Sequence, residues 1–345
     1  MEITIHSKTI RENVHTLRSR LKTGVKICAV VKANAYSLGD VMVAQTIDDL
    51  VDCFAVADLS EAKNLREAGI EKDILLFGVC EDLETAKALG ITISVNSLPE
   101  AQNVATNVAG LKIHIMVDTG MNRYGINSIH ELETILSLLG ESVEGIYTHM
   151  AYEEENLPKI NKQLERFSPF VEAAKRSNPN IIVHAACAGS AHLACAQFDM
   201  VRVGKSFYGG YHGYKTAIQM TSKIVAVRKI KAGETVSYNG HFVSTKDMTI
   251  GVVLGGYADG VHCGFSSKTF VFVDGKPCPI LGRICMDAFM VDVSEIKRPL
   301  GKKVTIVDDL PGITIMEHVR RTKVVTCDFL CGVGTSKRFK PNFLP

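Results

Sequence analysis

The sequence has no long apolar run, no excess of charge of either sign, no paired cysteine motif and no low-complexity segment. Each absence narrows what the chain can be. No stretch approaches ~20 uninterrupted apolar residues, the length a helix needs to span a bilayer. The opening MEITIHSKTIREN carries no apolar run of signal-peptide length. Lysine and arginine total 39 against 37 aspartate and glutamate, so the basic excess that a nucleic acid or an acidic membrane would recruit is missing. The ten cysteines are scattered, most of them inside apolar segments such as ICAVV, DCFAV and GRICMD, where a free thiol behaves as a small hydrophobe. Only Cys327 and Cys331 stand close together, without the second pair or histidine cluster that a zinc site requires. No metal is expected, and a reducing cytoplasm is the expected compartment.

What is present is a rhythm. Of the 345 residues, 46% are apolar, enough for one large barrel with a smaller domain or for two or three ordinary domains. Up to about residue 210 the chain repeats a short β-branched run, a turn and an amphipathic helical stretch. The runs fall at 26–31, 53–56, 73–79, 91–95, 111–117, 143–149, 180–185 and 200–204, with helical stretches such as 59–68, 99–108 and 161–175 between them. Strands alternating with helices pair in parallel through right-handed crossovers, and eight units is the count that closes a (β/α)8 barrel. A doubly wound open sheet is the alternative. After about Tyr214 short strands follow one another at 222–230, 248–254, 269–273, 289–293 and 303–307, with one helical pattern near 314–321. This predicts a mostly antiparallel β domain over 215–345, to which the strand-like residues 1–6 would add, with the barrel over 7–214.

The first barrel run, KICAVVK, delivers Lys32 to its C-terminal end, where barrels of this kind build active sites. A lysine in partly apolar surroundings has a lowered pKa and forms Schiff bases with aldehydes. Alone, such a lysine more often simply reaches solvent.

Its neighbours change that reading. AVVKANAYSLGD resembles the cofactor-lysine motif of the alanine racemase family, pyridoxal-phosphate enzymes built as a barrel followed by a β domain. The resemblance continues through VDTGMNRYGI (117–126), GIYTHMAYEEEN (145–156), MVRVGKSFYGG (200–210), GETVSYNGHF (233–242), GYADG (256–260) and GRICMD (282–287). It implies that Lys32 carries the cofactor and serves as the base on one face of the substrate Cα, with Tyr238 on the other. Two such groups are needed because a single base returns the proton to the face it left. Tyrosine ordinarily titrates near ~10, so a tyrosine base needs positive charge close by.

The same resemblance implies that Arg202 faces the pyridine nitrogen. An arginine keeps its proton, so the ring stays a weak electron sink and simple proton exchange is favoured over transamination. His149 would link toward the cofactor ring. Tyr36, Ser190, Gly204 and Lys205 would meet the phosphate, and Arg123, Tyr257 and the backbone N–H of Met286 the substrate. Tyr238 and Met286 would reach the other subunit's site, giving a homodimer with composite active sites.

The chain departs from the family pattern in places. The lysine that becomes carbamylated is Met116 here, which carries no charge. An Asn-Ser pair is replaced by Cys187 and Ala188, and Ser190 is the nearest substitute. Leu38 takes a polar position. At the C-terminal end Thr335, Ser336 or Lys337 would be the phosphate contact, and the arginine usual after GYADG is missing. The expected activity is an amino-acid racemase, with alanine as default substrate and serine or lysine as others. A related lyase or decarboxylase would lack the second base, yet Tyr238 is present. A pyridoxal-phosphate-binding homologue without turnover is the remaining alternative.

Overall fold

The computed structural model describes residues 1–336, 338 and 341–344. Its contacts separate into two compact units, Val14–Ala35 with Asp40–Gly204, and Met1–Asn13 with Tyr36–Gly39 and Lys205–Pro345.

In the first of these units, eight parallel strands close a barrel: Lys26–Val30, Cys53–Val56, Ile74–Leu76, Ile91–Val95, Ile113–Val117, Val143–Thr148, Ile182–His184 and Met200–Val203. They lie within the eight predicted runs. Closure is made by the last strand pairing with the first, from Lys26 opposite Met200 to Ala29 opposite Val203, which excludes an open sheet. Covered on both faces, such strands read as near-continuous apolar runs, and all five residues of Ile91–Val95 are buried. The intervening helices start where short polar side chains can cap them. Asp58 accepts from the amide of Glu61, Asp82 from Thr85 and Ser97 from Glu100.

The other unit carries an eight-stranded sheet in the order Met248–Leu254, Ala288–Asp292, Lys276–Leu281, Phe270–Val273, Lys303–Val307, Ile218–Ile230, Glu2–His6 and Asn342–Leu344. Ile218–Ile230 also pairs with Met248–Leu254, so the first six strands of that order run round in a closed ring. The opening strand lies antiparallel to Ile218–Ile230, as its sequence suggested, and parallel to Asn342–Leu344. Two strands of this sheet were illegible: Asn342–Leu344, and Lys276–Leu281, which contains Pro277 and Pro279, residues that ordinarily argue against a central strand. Here they stand opposite Phe272 and Phe270, on the side that pairs with Phe270–Val273.

Directly after the first barrel strand the backbone turns left-handed. Ala33, Asn34, Ala35, Tyr36 and Ser37 hold φ of 55°, 53°, 51°, 58° and 68°, with no glycine until Gly39. For L-residues this conformation costs ~1–2 kcal/mol each. The offsetting interactions are local. The amide of Ala35 donates to the Val31 carbonyl at 2.7 Å. One carboxylate oxygen of Glu61 accepts from the amides of Ala33 at 2.5 Å and Asn34 at 3.4 Å, the other from Ala57 at 2.7 Å. The Ser37 hydroxyl donates to the Leu330 carbonyl at 3.0 Å and accepts from the amide of Gly334 at 2.9 Å.

Ala33→Gly tests this turn. At an exposed right-handed position the change would destabilise by ~1 kcal/mol. Here relief of left-handed strain outweighs the added freedom of the unfolded chain, ~0.4–1 kcal/mol. Denaturant titration should therefore give an unchanged or higher stability, and a loss of ~1 kcal/mol would show that the turn is not left-handed.

Candidate active site

Lys32 follows the first barrel strand at its C-terminal end and is half-buried. Its Nζ lies 5.9 Å from the centroid of the Phe77 ring, just beyond the end of the third strand. The amine is thus held against an aromatic face at the barrel mouth.

Arg202 is placed by the last strand and points into the barrel, with 3% of its surface exposed. Nη1 donates to Nδ1 of His184 at 2.7 Å. Nη2 donates to the carbonyls of Thr148 at 2.7 Å and Ala185 at 3.2 Å, and lies 3.4 Å from Nδ1 of His149. The guanidinium also sits 5.0 Å above the Tyr147 ring. These partners are neutral, and among the described residues no carboxylate pairs with it. Burial lowers its pKa from the usual arginine value.

An arginine can only donate, so His184 must accept at Nδ1 and carry its proton on Nε2. That Nε2 lies 2.8 Å from Nδ1 of His114, which must therefore accept and be protonated at Nε2. Tautomers are thereby fixed along a chain running from Arg202 through two imidazoles. Burial, and then the charge of Arg202, keeps both rings neutral: His114 is lowered to about 3, and His184 well below 6.5. His149 is lowered to about 3 by burial and then by Arg202, Arg123 and Lys32. Tyr147 stacks on His184 at 4.7 Å, and its hydroxyl meets that of Ser94 at 2.8 Å. Gly145 makes room for this network, since a Cβ there would lie 2.5 Å from the His114 ring.

His114, His184, Tyr147 and Ser94 had no sequence signal beyond polar residues in otherwise apolar strands. An inward-facing reading of the alternating positions would have found them.

Arg123 is exposed, on a loop that leaves the fifth strand and returns to it. The loop closes by Asp118 N to Ile126 O at 2.8 Å and Ile126 N to Met116 O at 2.9 Å. Asp118 Oδ1 gathers the amides of Gly120, Met121 and Asn122. Met116 is buried and stands opposite Tyr147 in the sheet. Beyond the seventh strand, Ser190 is fully buried and its Oγ accepts from the amide of Cys187 at 3.1 Å. Gly204 follows the last strand, and Lys205 begins a short 3-10 turn, Lys205–Tyr208, with its Nζ over the Tyr211 ring at 5.4 Å.

The remaining candidates group in the β unit. Tyr238 (65% exposed) and Tyr257 (44%) line a cleft of about 590 Å³ that also carries His241, Lys268 and Arg283. Met286 is next to Tyr257, its carbonyl accepting from the amide of Ala258 at 3.2 Å. Tyr36 is buried with its ring edge-on to Tyr208 at 5.8 Å. At the C-terminal end, the Thr335 hydroxyl donates to Gly332 O and that of Ser336 to the buried carboxylate of Asp259, which Arg338 also grips at 2.7 and 2.9 Å. Lys337 lies outside the described residues.

A lysine at the end of the first strand and a buried arginine at the end of the last define a barrel protein whose reactive groups gather at the C-terminal ends of its strands. The sequence matches the family models described as alanine racemase, N-terminal domain, over residues 5–212, and alanine racemase, C-terminal domain, over 217–340. An alanine racemase of Streptococcus pyogenes serotype M6 is 36% identical, with 95% of this chain and 94% of that protein covered. Another, of Streptococcus uberis, is 35% identical over 88% and 87%. Among solved structures, the alanine racemase of Bacillus anthracis with bound L-Ala-P superposes with a TM-score of 0.87 at 28% identity, over 100% of this chain and 95% of that one. The biosynthetic enzyme of Pseudomonas aeruginosa gives 0.91 at 25% identity, over 100% and 99%. The chain belongs to the alanine racemase family.

The neutral histidines make stability depend on acid. His114 and His318, both fully enclosed, are lowered from 6.5 to about 3 and about 4. Below pH 6.5 the unfolded chain takes up protons that the folded one refuses, so stability is complete above 6.5 and falls with pH, by about 1.4 kcal/mol per pH unit and ring. Between pH 6.5 and 5 the two rings together should remove about 3 kcal/mol in denaturant titrations, and a flat profile would show that they titrate normally.

Proposed function

We propose that the protein is a pyridoxal-phosphate-dependent amino-acid racemase acting on alanine. The observation that carries the proposal is the pairing, on one barrel, of Lys32 at the mouth with Arg202 buried among neutral acceptors. Such a donor set fits the cofactor. The lysine amine suits its aldehyde, and a guanidinium that keeps its proton suits an unprotonated ring nitrogen. We assign Tyr36, Ser190, Gly204 and Lys205 to the phosphate, and His149 to the ring through Arg202. Arg123, Tyr257 and Met286 are assigned to the substrate. The cofactor, when bound, supplies the means to acidify the substrate Cα–H.

The chain's own groups then move the proton. The Nζ of Lys32 removes or returns it on one face and the Tyr238 hydroxyl on the other. Lys268 and Arg283 line the same cleft as Tyr238. The exposure of Tyr238 and Met286 supports the reading that they complete the site of a second copy, in a homodimer with composite active sites. We take the cofactor-bearing domain as 7–214 and the β domain as 215–345 with 1–6. The ten free cysteines favour a cytoplasmic compartment.

Purified protein given pyridoxal phosphate should show a visible absorbance band that Lys32→Ala abolishes. L-alanine should yield D-alanine by chiral chromatography, and Tyr238→Phe should slow that exchange by ~10²–10⁴. A coloured protein that produces no D-isomer from any amino acid would establish instead a binding protein without turnover.

A further inference from the structure

Three sulfur atoms meet inside the barrel, toward the end at which its strands begin. Cys28 and Cys53 are register partners on the first and second strands, so their side chains share one face of the sheet. Met200 opens the last strand, the first strand's other neighbour, and its Sδ lies 3.5 Å from Sγ of Cys53. Cys28 is fully buried, Met200 is 2% exposed and Cys53 is half-buried. Val30, Ala55 and Leu75, with Phe77 and Ile182, form an apolar wall around them. Cys28 stands four residues before Lys32, ~13 Å along the strand direction, and opposite Arg202 in the sheet, so the sulfurs adjoin Arg202 but lie well away from the lysine amine.

The ligand chemistry of this cluster is selective. Among the described residues no group of three or more histidine, cysteine, aspartate or glutamate side chains gathers to hold a metal. The nearby carboxylates are engaged elsewhere: Asp52 accepts from the amide of Ile27 at 2.7 Å and from Arg18 at 2.9 Å, and Asp73 pairs with Lys112 at 3.1 Å. Zinc, which takes four ligands in a tetrahedron, therefore lacks its fourth and finds a thioether as its third. A soft monovalent ion is suited to two thiolates and a thioether. Metal–sulfur bonds of ~2.3 Å in a trigonal plane would place the sulfurs ~4 Å apart, about half an ångström from the contact already present.

We propose that Cys28, Cys53 and Met200 form a binding site for a soft monovalent cation of the copper(I) class. The incoming ion displaces one proton from each thiol to solvent and forms two metal–thiolate bonds and one dative bond from the thioether, with no change of oxidation state. The complex carries one net negative charge, and the Arg202 guanidinium, whose field acts on Cys28, offsets it.

The test uses the full chain, reduced and anaerobic, with the exposed Cys195 and Cys263 replaced by serine to lower background. Copper(I) is added in competition with a chromophoric copper(I) chelator. One copper per chain should be retained, and X-ray absorption should show sulfur neighbours only. Cys53→Ser should lose that copper. Met200→Leu, which conserves volume and keeps both thiols, should hold it at least ~10-fold more weakly. Equal retention by all three proteins, or nitrogen and oxygen neighbours at the metal, would overturn the proposal. So would a loss of two hydrogens by mass with no copper bound, which would mean that the thiols form a disulfide instead.

Discussion

The interior of the barrel is organised around one buried cation. A guanidinium removed from water without a carboxylate is costly, and Arg202 is tolerated because carbonyl oxygens, an imidazole and an aromatic face surround it. That choice of neutral partners fixes much else. It dictates the tautomers of His184 and His114 and keeps both uncharged. It also asks for the flat stack of Tyr147 on His184, and for a glycine at 145 where any side chain would strike the His114 ring. A carboxylate in place of His184 would neutralise the cation. It would also change what Arg202 offers to a ligand, from a donor with charge to spare to one already paired.

The left-handed turn after Lys32 belongs to the same economy of placement. Five residues without glycine hold a conformation that each would avoid alone, and a single carboxylate, Glu61, ties down three amides at its base. Such strain persists where the surroundings over-determine it, and it is found beside functional groups. Here it follows the one lysine that the barrel brings to the end of its first strand.

The strand rhythm was legible because the barrel is covered on both faces, so each strand is an apolar run with turn residues at its ends. The β unit was partly legible for the opposite reason: short strands between glycine turns are clear, but prolines hid Lys276–Leu281. The helix Thr326–Val333 has no side-chain cap to announce it. Lys32 and Arg202 stood out through the blocks around them. The histidine chain did not, because a lone histidine in IIVHAA or KIHIMV reads as packing until the strands are wound into a barrel and the inward positions meet. The left-handed turn was also beyond reach, since KANAYS contains no residue that prefers positive φ except Asn34.

Charge gives the last step. Burial first, and then the charges of Arg202, Arg123 and Lys32, hold His149 near 3. Met116, on the strand from which the Arg123 loop departs, is a buried neutral side chain and brings no counter-charge to that loop. Lys32, Arg123 and Arg202 therefore all bring positive charge to the surroundings of His149. Three cations around neutral imidazoles form a site that is electrostatically incomplete by itself and is completed by anions. A phosphate group and an amino-acid carboxylate are anions of that kind, which favours a ligand and substrate that bring the negative charge with them. In the role proposed for Arg123, its exposure on a loop makes any grip on a carboxylate depend on the substrate more than on the scaffold. Substrate preference should therefore be looser at this position than the retention of Lys32 and Arg202 alone would suggest.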